Sequence, residues 1–242
     1  MARARGSATT AVDRLVDHLL AERDDPALRD ELGGWLAMSA RFRSFADAHR
    51  DKIRKKLRTA GDAESTRDVR AELRVASLLL ADRRIELAFE AHGAGHRGPD
   101  FTVTFRAARA FDLEVTRHRG DRAAAAHAGP LLAKLRQLQP SIASVLVIGV
   151  EGPSAETLDV TGGIRALRDR ADAKDEAFFR RRGFDGTREF YHRFLRLGAV
   201  LVWAERASVG QRVAAWENPS ARIPPGLSAL RACVAALEAT EA

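Results

Sequence analysis

The apolar period of this chain changes near residue 84, and no other feature restricts its fold as tightly. Upstream, Val69, Leu73, Ala76 and Leu80 recur in steps of three and four, behind a Ser65-Thr-Arg-Asp68 segment of capping-box form, which predicts a helix over about 66–81. Downstream the apolar positions alternate: in part over Ile85-Glu-Leu-Ala-Phe, strictly over Asp100-Phe-Thr-Val-Thr-Phe and Phe111-Asp-Leu-Glu-Val-Thr-Arg. A residue pattern of period two cannot line one face of a helix, so these are strands. Their connections are short, which predicts antiparallel neighbours. An Ala-rich helix follows Gly120 and runs to about Leu138, and the run Val145-Leu-Val-Ile-Gly-Val150 fits a strand buried on both faces. Beyond it the pattern predicts helix over 155–173 and 175–196, strands at Ala199–Trp203 and Arg212–Trp216, and a closing helix over 226–239.

Before residue 60 the chain reads as helices. Val12, Leu15, Val16, Leu19 and Leu20 are helically spaced, Asp25-Pro26 punctuates, and Gly33-Gly34 is expected to break the pattern before Trp35. Ser39 is placed as the N-cap of a long helix with Phe42, Phe45, Ile53 and Leu57 on its apolar side. That helix carries the charge of the molecule. Residues 41–58 hold eight basic side chains against two acidic ones, a net of +6, while the whole chain has a formal charge of +7. A concentrated basic helix is a footprint for a polyanion, and Lys52, Arg54, Lys55 and Lys56 are the candidate nucleic-acid contacts, set against the alternative of a solvated helix face. Nothing approaches the 18 consecutive apolar residues of a membrane span, and no apolar stretch of a signal peptide follows the first residues, so a cytoplasmic location is expected. The single cysteine, Cys233, falls in an Ala/Leu helical pattern and reads as a small core residue.

Three carboxylates fall where this topology brings side chains together. Asp100, Thr102 and Thr104 share one side of the second strand, and Asp112, Glu114 and Thr116 lie opposite Phe111, Leu113 and Val115 on the third. In the helix before them Glu72 is about 60° from Val69 and about 40° from Ala76, so it borders the apolar face. An acid in such a position pairs or binds metal, and hard divalent cations take one or two carboxylates with water and phosphate oxygens.

A helix bearing Glu72, then Gly98-Pro99-Asp100, then Glu114-Val115-Thr116, then a helix bearing Lys134-Leu-Arg-Gln137 and a buried strand resembles the PD-(D/E)XK nuclease superfamily over residues 64–150. The resemblance implies an α/β (α+β) fold: a restriction-endonuclease-like αβββαβ core with a mixed sheet over residues 61–242, preceded by an N-terminal helical region over 1–60. It implies that Asp100 and Glu114 ligate Mg²⁺ or Mn²⁺, that Glu72 holds a second ion or a metal-bound water, and that the chain hydrolyses phosphodiester bonds of nucleic acid, DNA before RNA, with a homodimer among the assemblies allowed. The motif lysine position is Thr116. His118, Arg117 and Lys134 are the available substitutes, Lys134 being the only lysine between residues 57 and 173, and Gln137 is a candidate phosphate contact. A second register makes Asp112 and Glu114 the acidic pair. The rival function is a nuclease fold that has lost catalysis and serves to bind nucleic acid or a partner. His92 and His96, with no further ligand nearby in sequence, read as turn residues.

Overall fold

A computed structural model describes residues 10–21, 23–90, 98–118, 128–138, 142–150, 159–204 and 212–239. Its contacts divide the chain into two compact units, residues 1–81 and 82–242. The division places the helix with Glu72, which the sequence pattern groups with the strands, in the unit of the N-terminal helices.

The first unit contains α1 (Ala11–Leu20), α2 (Pro26–Met38), α3 (Ala40–Ala48), α4 (Arg50–Thr59) and α5 (Ala63–Leu79). Every helix start in this unit except that of α4 is capped by a side chain. Thr10 and Asp13 form a reciprocal capping box on α1, Asp25 accepts from the Leu28 amide with Pro26 in the first turn of α2, and Ser39 accepts from the Phe42 amide. Three local expectations are corrected. The Gly33-Gly34 pair does not break α2, because Leu28, Leu32, Trp35 and Leu36 are buried along one side and their burial outweighs the roughly 1 kcal/mol cost of each helical glycine. The basic segment is two helices, divided at His49, whose φ of −112° and ψ of 14° leave the helical region. The α5 helix begins three residues before its expected start, since Asp62 rather than Ser65 is the N-cap and accepts from the Ser65 amide at 2.6 Å.

The second unit is built on one six-stranded sheet of β1 (Ile85–Phe89), β2 (Phe101–Phe105), β3 (Phe111–Arg117), β4 (Ala143–Val150), β5 (Leu197–Ala204) and β6 (Arg212–Glu217), lying side by side in chain order. The pairs β1–β2, β2–β3 and β5–β6 are antiparallel, whereas β3–β4 and β4–β5 are parallel. Parallel neighbours need crossovers, supplied by α6 (Ala128–Leu135) and then by α7 (Val160–Asp172), α8 (Glu176–Arg180) and α9 (Thr187–Phe194); α10 (Leu227–Glu238) follows β6. The mixed sheet with helices is thus an α+β arrangement, and the fully buried β4 and β5 follow from their unbroken apolar runs.

One face of this sheet decides where the site lies. Leu146 and Ile148 of β4 and Val200 and Val202 of β5 form a core with Leu131, Leu132 and Leu135 of α6, Ile164 and Leu167 of α7, and a phenylalanine cluster. In that cluster the Phe179 and Phe190 rings are 4.6 Å apart and the Phe190 and Phe194 rings 5.7 Å. The expected single helix over 175–196 is two helices, because Gly183, at φ +80°, turns the chain between them. Glu176 holds the pieces together by accepting from the Thr187 hydroxyl at 2.8 Å and its amide at 3.2 Å. Trp203 is buried in β5 and Trp216 packs on Phe194, so both are packing residues. No helix among the described residues is long and apolar enough to cross a membrane.

Candidate metal and phosphate site on strands β2 and β3

Antiparallel pairing of β2 with β3 sets Phe101 opposite Leu113 and Thr102 opposite Asp112. One step further along the same register Asp100 stands across from Glu114. Side chains alternate between the faces, so Asp112, Glu114 and Thr116 share a face, and parallel pairing with β4 aligns them with Ser144, Leu146 and Ile148. Leu146 and Ile148 lie beneath α6 in the apolar core. The same apolar contact that seats α6 therefore brings its one lysine over the acidic face.

Lys134 Nζ lies 2.7 Å from Glu114 Oε2 and 4.0 Å from Asp100 Oδ2. The sum of those distances, 6.7 Å, is the largest possible separation of the two carboxylate oxygens. Asp100 Oδ2 also accepts from the Val115 amide at 2.8 Å, which fixes its orientation, and Asp112 Oδ1 accepts from the Thr102 hydroxyl at 3.0 Å. The Glu114 side chain is 4% exposed, Asp100 13% and Lys134 21%. Two carboxylates and one ammonium give this group a formal charge of −1, held where water is scarce and electrostatic interactions are correspondingly strong.

The chain matches no protein-family model, no curated protein and no solved structure.

Around the three charged groups, Thr116 is half-buried, two residues beyond Glu114 on the same side of β3. His118 follows directly on β3, buried, its amide donating to the Gly149 carbonyl at 2.8 Å. Gln137 lies half-buried in the turn after α6, and its amide donates to the Lys134 carbonyl. Glu72 is on α5 in the first unit, buried, and its ion-pair partner there is Lys56. His92 and His96 lie outside the described residues. Among the described residues no set of three or more His, Cys, Asp or Glu side chains is gathered as metal ligands.

The basic helices are more structural than their sequence suggests. Arg41 donates to the Leu80 carbonyl, Arg43 to the Leu36 carbonyl, Arg50 pairs with Asp47, and Lys56 is taken up by Glu72. Lys52, Lys55 and Arg58 are exposed and Arg54 is half-buried. The hydroxyl of Thr102 as the partner of Asp112 was not anticipated from sequence, though strict alternation on both strands is the signal that would have found it.

The donor set of the β2–β3 site is all oxygen, and it is small. Asp100 and Glu114 together match the one or two carboxylates that Mg²⁺ or Mn²⁺ takes when water and phosphate oxygens complete its shell. They fit such an ion, and they offer nothing for a soft one.

Proposed function

We propose that this protein is a divalent-metal-dependent phosphodiesterase acting on nucleic acid, DNA before RNA, on a PD-(D/E)XK-type core. The observation that carries the proposal is the meeting of Asp100, Glu114 and Lys134: two acids from neighbouring antiparallel strands and an ammonium arriving from the next helix. Further support comes from the order of elements, a helix and three strands followed by a crossover helix and a parallel strand, which is the order expected from the family resemblance. Lys134 takes the place that Thr116 leaves without a cation.

In this scheme Asp100 and Glu114 hold Mg²⁺ or Mn²⁺, which when bound lowers the pKa of a coordinated water and offsets negative charge on the phosphoryl oxygens. The remaining work belongs to the chain itself. The Val115 amide keeps Asp100 aimed at the site. The Lys134 ammonium balances Glu114 in the resting state and supplies a positive charge for the phosphorane oxygens as they become more negative, a contribution made in full only at the transition state. The Glu114 side chain is only 4% exposed, so its charge acts at low dielectric.

A plasmid-nicking assay with and without Mg²⁺ is the direct test. The unmodified protein is expected to cleave only with the metal, Asp100→Ala and Glu114→Ala to abolish cleavage, and Lys134→Ala to slow it by about 10²-fold or more. If Lys134→Ala leaves the rate unchanged while His118→Ala lowers it, the histidine rather than the lysine supplies the positive charge. Nucleic-acid binding without cleavage of any single- or double-stranded substrate would make the protein a binding module on the same framework.

A further inference from the structure

Four arginines that are far apart in sequence meet at one end of the second unit's sheet. Arg136 lies in the turn after α6 that leads into β4, Arg193 in the last turn of α9, Arg196 just ahead of β5, and Arg222 in the loop after β6. Because β6 runs antiparallel to β5, its end lies beside the beginning of β5, so all four surround the same sheet edge.

Hydrogen bonds to the backbone tie the segments that carry them together, and the side chains of Arg193 and Arg196 make two of these bonds. The Arg193 guanidinium donates to the Arg136 carbonyl at 3.3 Å, Arg196 donates to the Leu138 carbonyl at 3.0 Å, and the Arg222 amide donates to the Leu195 carbonyl at 2.9 Å. Buried Asn218 pins the loop that carries Arg222 by donating to the carbonyls of Phe194, at 3.0 Å, and Leu197, at 2.8 Å. The guanidinium of Arg136 lies against Gly183, at the spot a β-carbon there would occupy.

The acid complement is small. Glu189 reaches Arg193 at 3.2 Å, and among the described residues no carboxylate forms an ion pair with Arg136, Arg196 or Arg222. Partial burial, together with Arg193 and Arg222 acting as like charges, holds the pKa of Arg196 below the ordinary arginine value. Arg193 and Arg222 act as like charges on Arg196 beside the carboxylate of Glu189, with Arg136 on the neighbouring turn, and an arrangement of that kind gains most from an anion of high charge density. Guanidinium forks match phosphate oxygens in pairs, and the planar fork loses less freedom per hydrogen bond formed than a lysine ammonium does.

We propose that Arg136, Arg193, Arg196 and Arg222 form a nucleic-acid-binding edge that grips the phosphate backbone. Only the identity of the partner rests on the phosphodiesterase function proposed for the β2–β3 site. Arg136 is two residues from Lys134 in the chain, so the same helix end joins the backbone grip to the acidic site.

The test is fluorescence anisotropy of a labelled oligonucleotide of about 20 nucleotides, single-stranded and as a duplex, in EDTA over about 50 to 200 mM salt. The variant is R136Q/R222Q, chosen because both side chains are exposed, and Arg231→Gln on α10 serves as an equally exposed arginine outside the cluster. The double variant is expected to bind about tenfold or more weakly and to lower the slope of log K against log salt by up to about two, while its thermal unfolding temperature is unchanged or higher. Arg231→Gln is expected to change neither quantity by more than a small fraction of that. An unchanged affinity and slope in a folded double variant would overturn the proposal, as would an equal loss per charge in Arg231→Gln. With divalent cations removed, binding is measured apart from catalysis. Arginine-dependent binding without Mg²⁺-dependent cleavage leaves this proposal standing and removes the enzymatic one, cleavage with arginine-independent binding does the reverse, and failure of the unmodified protein to bind either oligonucleotide removes both.

Discussion

Lys134 and Glu114 are the residues on which the site's stability and its chemistry both depend. Lys134→Ala takes away the ammonium 2.7 Å from a carboxylate whose side chain is only 4% exposed, and with Lys134 itself partly solvated the expected loss is about 1 to 3 kcal/mol. Replacing both partners, as Lys134→Met with Glu114→Leu, should restore most of that stability and none of the activity. Urea midpoints of the three proteins give the comparison, and equal midpoints for Lys134→Ala and the parent would show that the pair contributes nothing. A second residue-scale expectation concerns Cys233 of α10, whose thiol is pushed up to about 12 by burial first and by the charge of Asp82 second. In the folded protein the thiol is therefore un-ionised and inert to an aromatic disulfide reagent at pH 8, and it reacts only after unfolding. The unfolded thiol ionises near the ordinary value of about 8.5, so stability contributed by the neutral buried thiol is complete below that pH and is lost as pH rises above it.

At the scale of elements, the caps and turns determine which of two adjacent readings the chain adopts. Asp62 and Ser65 could each start α5, and the hydrogen bond from the Ser65 amide to Asp62 decides between them. Asp62→Ala should cost about 1 kcal/mol and Ser65→Ala no more than a few tenths, measured as shifts in urea midpoint. The reverse order would return the cap to Ser65. Between α8 and α9 the turn depends on Gly183, whose φ of +80° disfavours any L side chain. Gly183→Ala should destabilise by about 1 to 2 kcal/mol through the backbone alone. Because the new β-carbon would fall 2.5 Å from Arg136 Nη1, it should also displace that guanidinium and weaken oligonucleotide binding.

For the molecule as a whole, stability should plateau between about pH 5 and 8 and fall on both sides. On the acid side, hydrogen bonds from the backbone and hydroxyl of Thr10 hold Asp13 below its ordinary pKa, and the Thr187 hydroxyl does the same for Glu176. A carboxyl lowered in the folded state contributes stability above its unfolded pKa of about 4, and that contribution is lost as pH falls through the lower folded value. Protonation also adds to a formal charge that is already +7, so self-repulsion grows in the same range and added salt should recover part of the loss. Thermal unfolding against pH, with Thr187→Val as the comparison, reads this directly: the variant should lose stability at pH 7 and show a shallower acid limb. The two apolar periods of the sequence were enough to place the six strands, the buried pair β4 and β5, and the closing helix, because a period is a local property that survives whatever the element later packs against. The facing of Asp100 and Glu114 was legible for a related reason, since strict alternation and a short connection leave an antiparallel pair little choice of register. Three features were decided only by the tertiary structure. Glycines 33 and 34 stay helical because burial of Trp35 and Leu36 outweighs their propensity, and Lys56 is drawn from the expected polyanion face to Glu72 by the packing of α4 with α5. Lys134 reaches Glu114 because Leu131, Leu132 and Leu135 seat α6 on β4. Counting charge along the chain found residues 41–58 and passed over Arg136, Arg193, Arg196 and Arg222, because spacing within a segment carries no information about which distant segments the folded backbone brings together.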